Sequence, residues 1–234
     1  MKAGLRKAVT AAVSTTAPRW AAASRRARRA AFVAKVKAVA AATPADIELE
    51  LAPDIDIAPG VQLSVTPHSR NRIAVGSQSR IERGVAIRLK GGSLEIGPRV
   101  EIRRDTVLVV GGRLVVEGDT PISWNCAIHC ESEVVLRRQV GLAEQVTVAD
   151  SSHYFTTPDE HFWHNQRATP VEVGENTWLC PKVTVTRGAK IGSHCIVASN
   201  SVVVGNVPDG SLASGVPAAV RPLPLPWQDD AAGP

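Results

Sequence analysis

Residues 173–208 read VGENTW, LCPKVT, VTRGAK, IGSHCI, VASNSV and VVGNVP, six hexads that each begin with an aliphatic residue. An amphipathic helix would place apolar residues three and four apart, and a half-buried strand would alternate every two. A period of six instead predicts short strands joined by tight turns, three strands to a coil. The first residue of each hexad would then point into a narrow triangular core.

The same frame returns in the preceding sequence as WNCAIH, CESEVV, LRRQVG, LAEQVT and VADSSH, and earlier as VGSQSR and IGPRVE. A narrow core has little room for rings, which agrees with 4% aromatic residues in a chain that is 44% hydrophobic. The sequence therefore predicts a mainly β protein, a parallel β-helix of about seven coils. We expect the coils to start at Ile57, Val75, Ile96, Val116, Leu136, Val173 and Ile191.

The frame breaks once, over residues 149–170, where the chain reads ADSSHYFTTPDEHFWHNQRATP. Long excursions from a regular solenoid usually carry function or assembly. We therefore expect residues 46–208 to form the β-helix, with an active-site loop at 149–170. Residues 209–234 would form a C-terminal extension.

Residues 1–45 form a basic arm with ten Lys or Arg residues and no Asp or Glu, while the remaining 17 basic and 22 acidic residues leave the body at −5. Alanine-rich spacing with Phe32, Val36 and Val39 at helical intervals predicts one or two helices before Pro44. Such an arm could pack on its own body or on a neighbouring subunit, or lie on an anionic membrane surface. Nucleic-acid binding is less favoured, since no aromatic interleaving or known motif accompanies the charge.

The cysteines Cys126, Cys130, Cys180 and Cys195 show no CxxC pair and no zinc-like spacing, so neither a disulfide framework nor a metal site is predicted. The alanine- and threonine-rich start is unlike a cleaved signal peptide, and no stretch of 18 apolar residues exists for a conventional membrane span. We therefore expect a cytoplasmic protein, peripheral on the inner membrane face if the arm binds lipid.

The segment from about Val75 to Arg221 resembles the hexapeptide-repeat O-acetyltransferases that modify maltose, galactosides, nodulation factors and polysaccharides. The resemblance rests on DSSH at residues 150–153 and on PVEVGENTWLCPKVTVTRGAKIGSHCIVASNSVVVGNVPDGSLASGVPAAV at residues 170–220. It implies a left-handed parallel β-helix and a homotrimer with active sites between adjacent subunits. It also implies an acyl-CoA donor, most simply acetyl-CoA, and a carbohydrate or glycoconjugate acceptor.

By the same resemblance, His153 stands where the family keeps its catalytic histidine. Transfer of an acyl group to a sugar hydroxyl needs a base, and a histidine near neutrality typically contributes about 10² to 10⁴ in rate. No covalent intermediate is expected, because no cysteine lies beside a base in the sequence. The other histidines of the repeats and loop are interpreted as packing or solvent residues: His129, His161, His164 and His194.

Substrate-binding residues follow from the resemblance as well. The acceptor would be bound by Ser123, Asn125, Glu131 and Asp150, and the galactoside enzyme has an asparagine at the position of Ser123. Asp150 could alternatively orient His153. Gly205 and Ala219 replace basic residues of the family, so the phosphates of coenzyme A would depend on other arginines. The expected donor-binding residues are Trp178, Pro181, Ala198, Ser199, Arg187 and Arg221.

Two other classes of protein stay open. A γ-class carbonic anhydrase shares the fold but needs three zinc-binding histidines on adjacent faces, and the sequence offers no convincing triplet. A non-catalytic β-helix scaffold with a degenerate site would account for Ser123, Gly205 and Ala219.

Overall fold

The computed structural model describes residues 19–223, without the side chains of residues 19–23 and of His164. Residues 1–18 of the predicted arm and residues 224–234 of the predicted C-terminal extension lie outside the described residues. The described chain forms a parallel β-helix with an α-helix at its N-terminal end. This architecture confirms the predicted fold class, a β-helix of hexapeptide repeats with a helical N-terminal arm.

The secondary structure of residues 19–223 begins with one α-helix, α1 (Arg19–Ala42), and includes one 3₁₀ helix (Phe162–His164). The strands are β1 (Asp46–Leu51), β2 (Asp56–Ile57), β3 (Gln62–Val65), β4 (Arg70–Val75), β5 (Arg80–Ile81), β6 (Ala86–Leu89), β7 (Ser93–Ile96), β8 (Glu101–Ile102), β9 (Val107–Val110), β10 (Arg113–Val116), β11 (Pro121–Ile122), β12 (Ala127–Cys130), β13 (Glu133–Leu136), β14 (Gly141–Leu142), β15 (Thr147–Ala149), β16 (Ser151–His153), β17 (Gln166–Ala168), β18 (Val171–Val173), β19 (Trp178–Leu179), β20 (Thr184–Val185), β21 (Lys190–Ile191), β22 (Ile196–Val197), β23 (Val202–Val203), β24 (Asn206–Val207), β25 (Ser211–Gly215) and β26 (Ala218–Pro222).

Three long sheets form the faces of the helix, and the chain visits them in turn. Sheet A has the order β1-β4-β7-β10-β13-β18-β21-β24, and sheet B has the order β2-β5-β8-β11-β14-β19-β22-β25-β26. Sheet C has the order β3-β6-β9-β12-β15-β20-β23. Equivalent residues of successive coils therefore lie side by side, about 4.8 Å apart, along each face.

The core lies inside the three sheets and is built from stacked aliphatic rows. In sheet A, Ile73 pairs with Leu94, Leu94 with Leu114, and Leu114 with Val134. All four side chains are fully buried. Burying each row stabilises the folded state by roughly 25 cal/mol for each Å² of apolar surface removed from water. A polar residue at the aliphatic position of the repeat would lose this stabilisation.

The corners between sheets are tight turns held by hydrogen bonds between coils. Asn125, Gln145 and Lys182 occupy equivalent corners between sheets B and C, with φ of 57°, 60° and 62°. The Gln145 amide donates to the Trp124 carbonyl in the preceding coil at 3.0 Å. Left-handed backbone is costly for residues other than glycine, and Asn tolerates it best.

The coils of the N-terminal half are longer than the ideal repeat. Val75, Ile96, Val116 and Leu136 all lie in sheet A as predicted, about 20 residues apart, because glycine pairs such as Gly91–Gly92 lengthen the corner between sheets C and A. The prediction for Ile57 is wrong, since this residue lies in sheet B. In the coil that precedes Val75, the sheet A residue in register with it is Leu51.

Helix α1 packs across the first coil of its own chain. Phe32 and Val36 are buried against the core, with 5% and 3% of their surfaces exposed. The Arg28 Nε donates to Asp56 Oδ1 at 2.8 Å, and the Lys35 ammonium donates to the Val61 carbonyl at 2.7 Å. The arm therefore covers the open N-terminal end of the core, and its packing on its own body is confirmed for the described part.

Within residues 19–223, no helix is long and apolar enough to cross a membrane.

At the C-terminal end, the predicted extension does not leave the β-helix at residue 209. Strand β25 adds to sheet B beside β22, and β26 folds back antiparallel on β25.

Candidate active site

The segment that interrupts the repeats is a short hairpin that rises from the corner between sheets C and A. Strands β16 and β17 pair antiparallel, with Ser151 opposite Ala168 and His153 opposite Gln166. The 3₁₀ helix Phe162–His164 closes the tip, and His161 caps it by accepting the Trp163 amide at 3.3 Å. His161 thus has a structural role, while the side chain of His164 lies outside the description.

Asp150 anchors the base of this hairpin. The residue is fully buried, and its two carboxylate oxygens accept the backbone amides of Glu131 and Ser132 at 2.8 and 2.7 Å. Its carbonyl oxygen accepts the Thr169 amide at 2.7 Å, which ties the two ends of the hairpin together. Asp150 forms no hydrogen bond with His153 in this arrangement, and both carboxylate oxygens are already held by backbone amides.

His153 lies at the end of β16 with its ring orientation determined by backbone carbonyls. Nδ1 is 3.0 Å from the Phe162 oxygen and 3.2 Å from the Asn165 oxygen. A carbonyl oxygen can only accept, so we assign the hydrogen of the neutral ring to Nδ1 and the lone pair to Nε2. The rings of Phe162 and Trp163 pack edge-on against the imidazole, with centroids 5.7 and 5.1 Å away.

An open groove of about 1020 Å³ runs from His153 along the outer surface of sheet C. Its floor is a row of outward side chains in register across five strands, and the hairpin forms its wall through His153, Trp163 and Gln166. The floor residues are Ser64, Arg88, Val109, His129 and Ala149. His129, interpreted from the sequence as a packing or solvent residue, points outward from β12 and lies in the groove.

Glu131 is the predicted acceptor residue that shares this groove with His153. Its side chain forms an ion pair with Lys90, with Nζ 2.6 Å from Oε1, and is 20% exposed. The carboxylate is therefore held in place at the groove edge, where it can accept hydrogen bonds from hydroxyl groups.

Ser123 and Asn125 lie elsewhere, at the corner between sheets B and C. Ser123 is 6% exposed and donates to Glu144 Oε1 at 3.1 Å. Asn125 occupies one of the left-handed corner positions. Neither residue lines the groove beside His153 in the same chain.

Trp178 lies on the outer face of sheet B, with 45% of its surface exposed. Its indole packs on Gly141, where an added Cβ would lie 2.3 Å from the ring. Trp178 is in register with Ile196, Ile196 with Leu212, and Leu212 with the exposed Arg221. We call this the Trp178 row; it offers an apolar strip that ends in a cation.

The remaining predicted donor residues divide between two places. Pro181 and Ser199 lie at the corner between sheets B and C beside the Trp178 row, but the Ala198 amide is already used, since it donates to the Ala213 carbonyl at 2.9 Å. Arg187 lies at the hairpin instead, where it donates to the Ser152 hydroxyl at 2.7 Å and to Thr169 Oγ1 at 3.3 Å. The structure thus gives Arg187 a role in holding the hairpin.

Three of the thiols are unsuited to nucleophilic attack. Burial raises the pKa of Cys126 to about 11 and that of Cys130 to about 12, and it also raises the pKa of Cys180. A thiol with a raised pKa is protonated at neutral pH, and the thiolate is the nucleophilic form. Among the described residues, no cluster of three or more His, Cys, Asp or Glu side chains is arranged to hold a metal ion.

Part of the sequence matches a known protein family. Residues 170–205 match the family described as bacterial transferase hexapeptide (six repeats). A Mycobacterium tuberculosis protein, named as a probable acetyltransferase, is 29% identical over 177 residues, which cover 74% of this chain. The chain spans 51% of the length of that relative.

Two solved structures share the fold. The polysialic acid O-acetyltransferase OatWY superposes with a TM-score of 0.59 at 18% identity, covering 78% of this chain and 90% of that chain. An N-acyltransferase from Bacillus cereus, in complex with dTDP and coenzyme A, gives a TM-score of 0.51 at 16% identity, covering 63% and 82%. The family match and the relative confirm the resemblance to hexapeptide-repeat acetyltransferases, and the two solved structures show the same fold.

Proposed function

We propose that this hexapeptide-repeat protein is an acyl-CoA-dependent O-acyltransferase, with acetyl as the simplest acyl group and a carbohydrate or glycoconjugate hydroxyl as acceptor. The observation that carries the proposal is the setting of His153. Two backbone carbonyls hold its Nδ1–H, which leaves the Nε2 lone pair at the end of an open groove. The names of the relative and of the two solved structures support acyl transfer, and that of OatWY supports transfer to oxygen.

The proposed step needs no covalent enzyme intermediate. As the acceptor oxygen attacks the thioester carbon, Nε2 of His153 takes the hydroxyl proton. The new ester bond forms, the carbon–sulfur bond breaks, and the proton held by His153 can be passed to the departing thiolate. The Phe162 and Asn165 carbonyls favour the imidazolium that forms, because Nδ1–H then donates to them from a charged ring.

The Trp178 row is the proposed donor surface. Its apolar strip, in which the Trp178 ring is the most exposed part, suits the pantetheine arm, with Pro181 and Ser199 at its edge, and Arg221 is placed to meet a phosphate. The Bacillus cereus structure supports coenzyme A as donor in this fold.

A homotrimer would bring the two halves of the site together. The groove of His153 lies on sheet C and the Trp178 row on sheet B, so in one chain they face different directions. Closed rings of identical subunits place one face of a subunit against a different face of the next. We propose that each site joins His153 of one subunit to the Trp178 row of its neighbour, where Ser123 and Asn125 would also lie.

The donor surface can be tested by binding. Addition of coenzyme A to about 100 times its Kd is expected to stabilise the folded protein by about 2.7 kcal/mol and to raise Tm. Trp178→Ala should weaken this response without unfolding the protein, because the side chain lies outside the core. Val204→Ala, at an exposed valine in the corner between sheets C and A, is the matched control. If neither coenzyme A nor acetyl-CoA shifts the melt at millimolar concentration, the protein is a scaffold and the acyltransferase proposal fails.

From the charge of the arm we separately propose that the protein is cytoplasmic. We also propose that it associates with anionic membranes through helix α1. Phe32 and Val36 face the core, so Arg26 and Lys37 remain exposed on the outer side. The protein should sediment with acidic liposomes at low salt and be released as the salt concentration rises through the physiological range.

The double substitution Arg26→Gln and Lys37→Gln should reduce this sedimentation, whereas Arg70→Gln, in sheet A, should not. Equal binding to neutral and acidic liposomes, or no binding, would leave the arm with only its packing role.

A further inference from the structure

The groove on sheet C is much longer than the reaction at His153 requires. Its floor continues from Ala149 through His129 and Val109 to Arg88 and Ser64. Arg88 lies three strand spacings from Ala149, which is about 14 Å. That length exceeds a single sugar ring, so the groove has room for several units of an extended acceptor.

The charges along this floor are unequal. The Lys90 ammonium is neutralised by Glu131, with the two groups 2.6 Å apart. Arg88 is exposed, points outward from β6 and has no carboxylate within 4.0 Å among the described residues. Most other arginines of the sheets' outer faces are paired, as Arg113 is with Glu95 and Glu133. Arg88 is thus an uncompensated cation inside a groove that leads to His153.

We propose that Arg88 is an anion-binding subsite for the acceptor. A planar guanidinium binds a carboxylate or a phosphate through two parallel hydrogen bonds. The acceptor would then be an oligosaccharide whose anionic group lies more than one sugar unit away from the hydroxyl that is acylated. This inference rests on the proposed function for the site at His153, and it adds the charge and the minimum length of the acceptor.

The donor is the other molecule that could bring phosphates to Arg88. The Trp178 row lies on sheet B and ends in its own arginine, Arg221. Arg88 lies on sheet C three strands from Ala149 toward the N-terminal end, with only Ser64 beyond it on the floor, whereas the Trp178 row runs through the C-terminal coils. The placement therefore favours the acceptor as the ligand of Arg88.

The test measures acceptor binding by calorimetry in the absence of acyl-CoA, so that it does not depend on acyl transfer. The probes are tetrasaccharides of uronic acids, the same tetrasaccharides as neutral methyl esters, and phosphate-bearing tetrasaccharides. The wild-type protein is compared with Arg88→Ala and Arg88→Lys. The matched control is Arg83→Ala, which removes an exposed arginine of the same coil outside the groove.

We expect the wild-type protein to bind at least one anionic probe at least tenfold more tightly than neutral probes. Arg88→Ala should abolish that preference, Arg88→Lys should keep part of it, and Arg83→Ala should leave it unchanged. The carboxylated and phosphorylated probes then distinguish which anion is the natural one.

Equal affinity for charged and neutral probes, binding that Arg88→Ala does not change, or no binding of any probe would overturn the inference. So would an Arg88→Ala protein with a higher KM for acetyl-CoA and an unchanged KM for acceptor. Binding that depends on Arg88 in a protein that transfers no acyl group to any acceptor would instead refute the proposed function and leave the anion subsite standing.

Discussion

Replacing His153 by Ala is expected to lower kcat at least a hundredfold, because the reaction then loses its only proposed base. The loss should appear in kcat and in kcat/KM alike, since proton removal stabilises the transition state rather than the bound substrate. Release of free thiol from acetyl-CoA in the presence of acceptor is the measurement. Tm should change little, because the ring is exposed and contributes nothing to the core.

His194→Ala is the matched control for this experiment. His194 is also exposed, but it lies at a corner between sheets, where its Nδ1 contacts the Asn176 amide at 3.0 Å. Its replacement should leave kcat near the wild-type value, and His161→Ala, which removes the cap of the 3₁₀ helix, should be mild. Activity retained by His153→Ala would overturn the assignment of the base.

Replacing Asp150 by Ala is expected to destabilise the protein by about 3 kcal/mol. The substitution leaves the part-buried amides of Glu131 and Ser132 without their acceptors, and hydrogen bonds to charged groups contribute about 1.5–3 kcal/mol each. For a domain of this size the loss corresponds to a Tm lower by about 6–12 °C. Activity should fall as well, because the hairpin that carries His153 loses its anchor.

Asp159→Ala is the control for charge, since Asp159 lies exposed in the same excursion. Asp150→Asn keeps the shape of the side chain but replaces one acceptor by a donor, so it should be intermediate in Tm. A thermal melt of Asp150→Ala that coincides with the wild-type melt would show that the carboxylate does not anchor the hairpin.

Much of the fold could be predicted because the repeat reports directly on side-chain direction. Val173 and Ile191 begin hexads and are buried, and they lie in one inward row of sheet A. The error at Ile57 has a physical cause as well. Where the coils lengthen to about 20 residues, an aliphatic residue no longer identifies which of the three sheets it belongs to, since all three sheets have aliphatic inward positions.

The candidate site was predicted in part. His153 and Glu131 line the same groove, and Trp178 is exposed on a flat face, as a binding residue should be. Asp150, Arg187 and the Ala198 amide, by contrast, are occupied by partners from neighbouring coils or the hairpin stem. Residue types such as Asp and Arg are common in binding sites. Only the positions of their hydrogen-bond partners show that these groups hold the structure together.

The sequence by itself therefore determined the architecture, because a six-residue period of aliphatic residues can be buried in few ways other than a three-sided coil. It also pointed to His153 as the candidate base, through the motif that precedes the break in the repeats. The tertiary structure alone decided which polar groups are free to bind a ligand. Arg88 and His129 belong to different coils, and they share one groove with His153 because parallel stacking places equivalent positions of successive coils side by side, at separations that the order of residues does not encode.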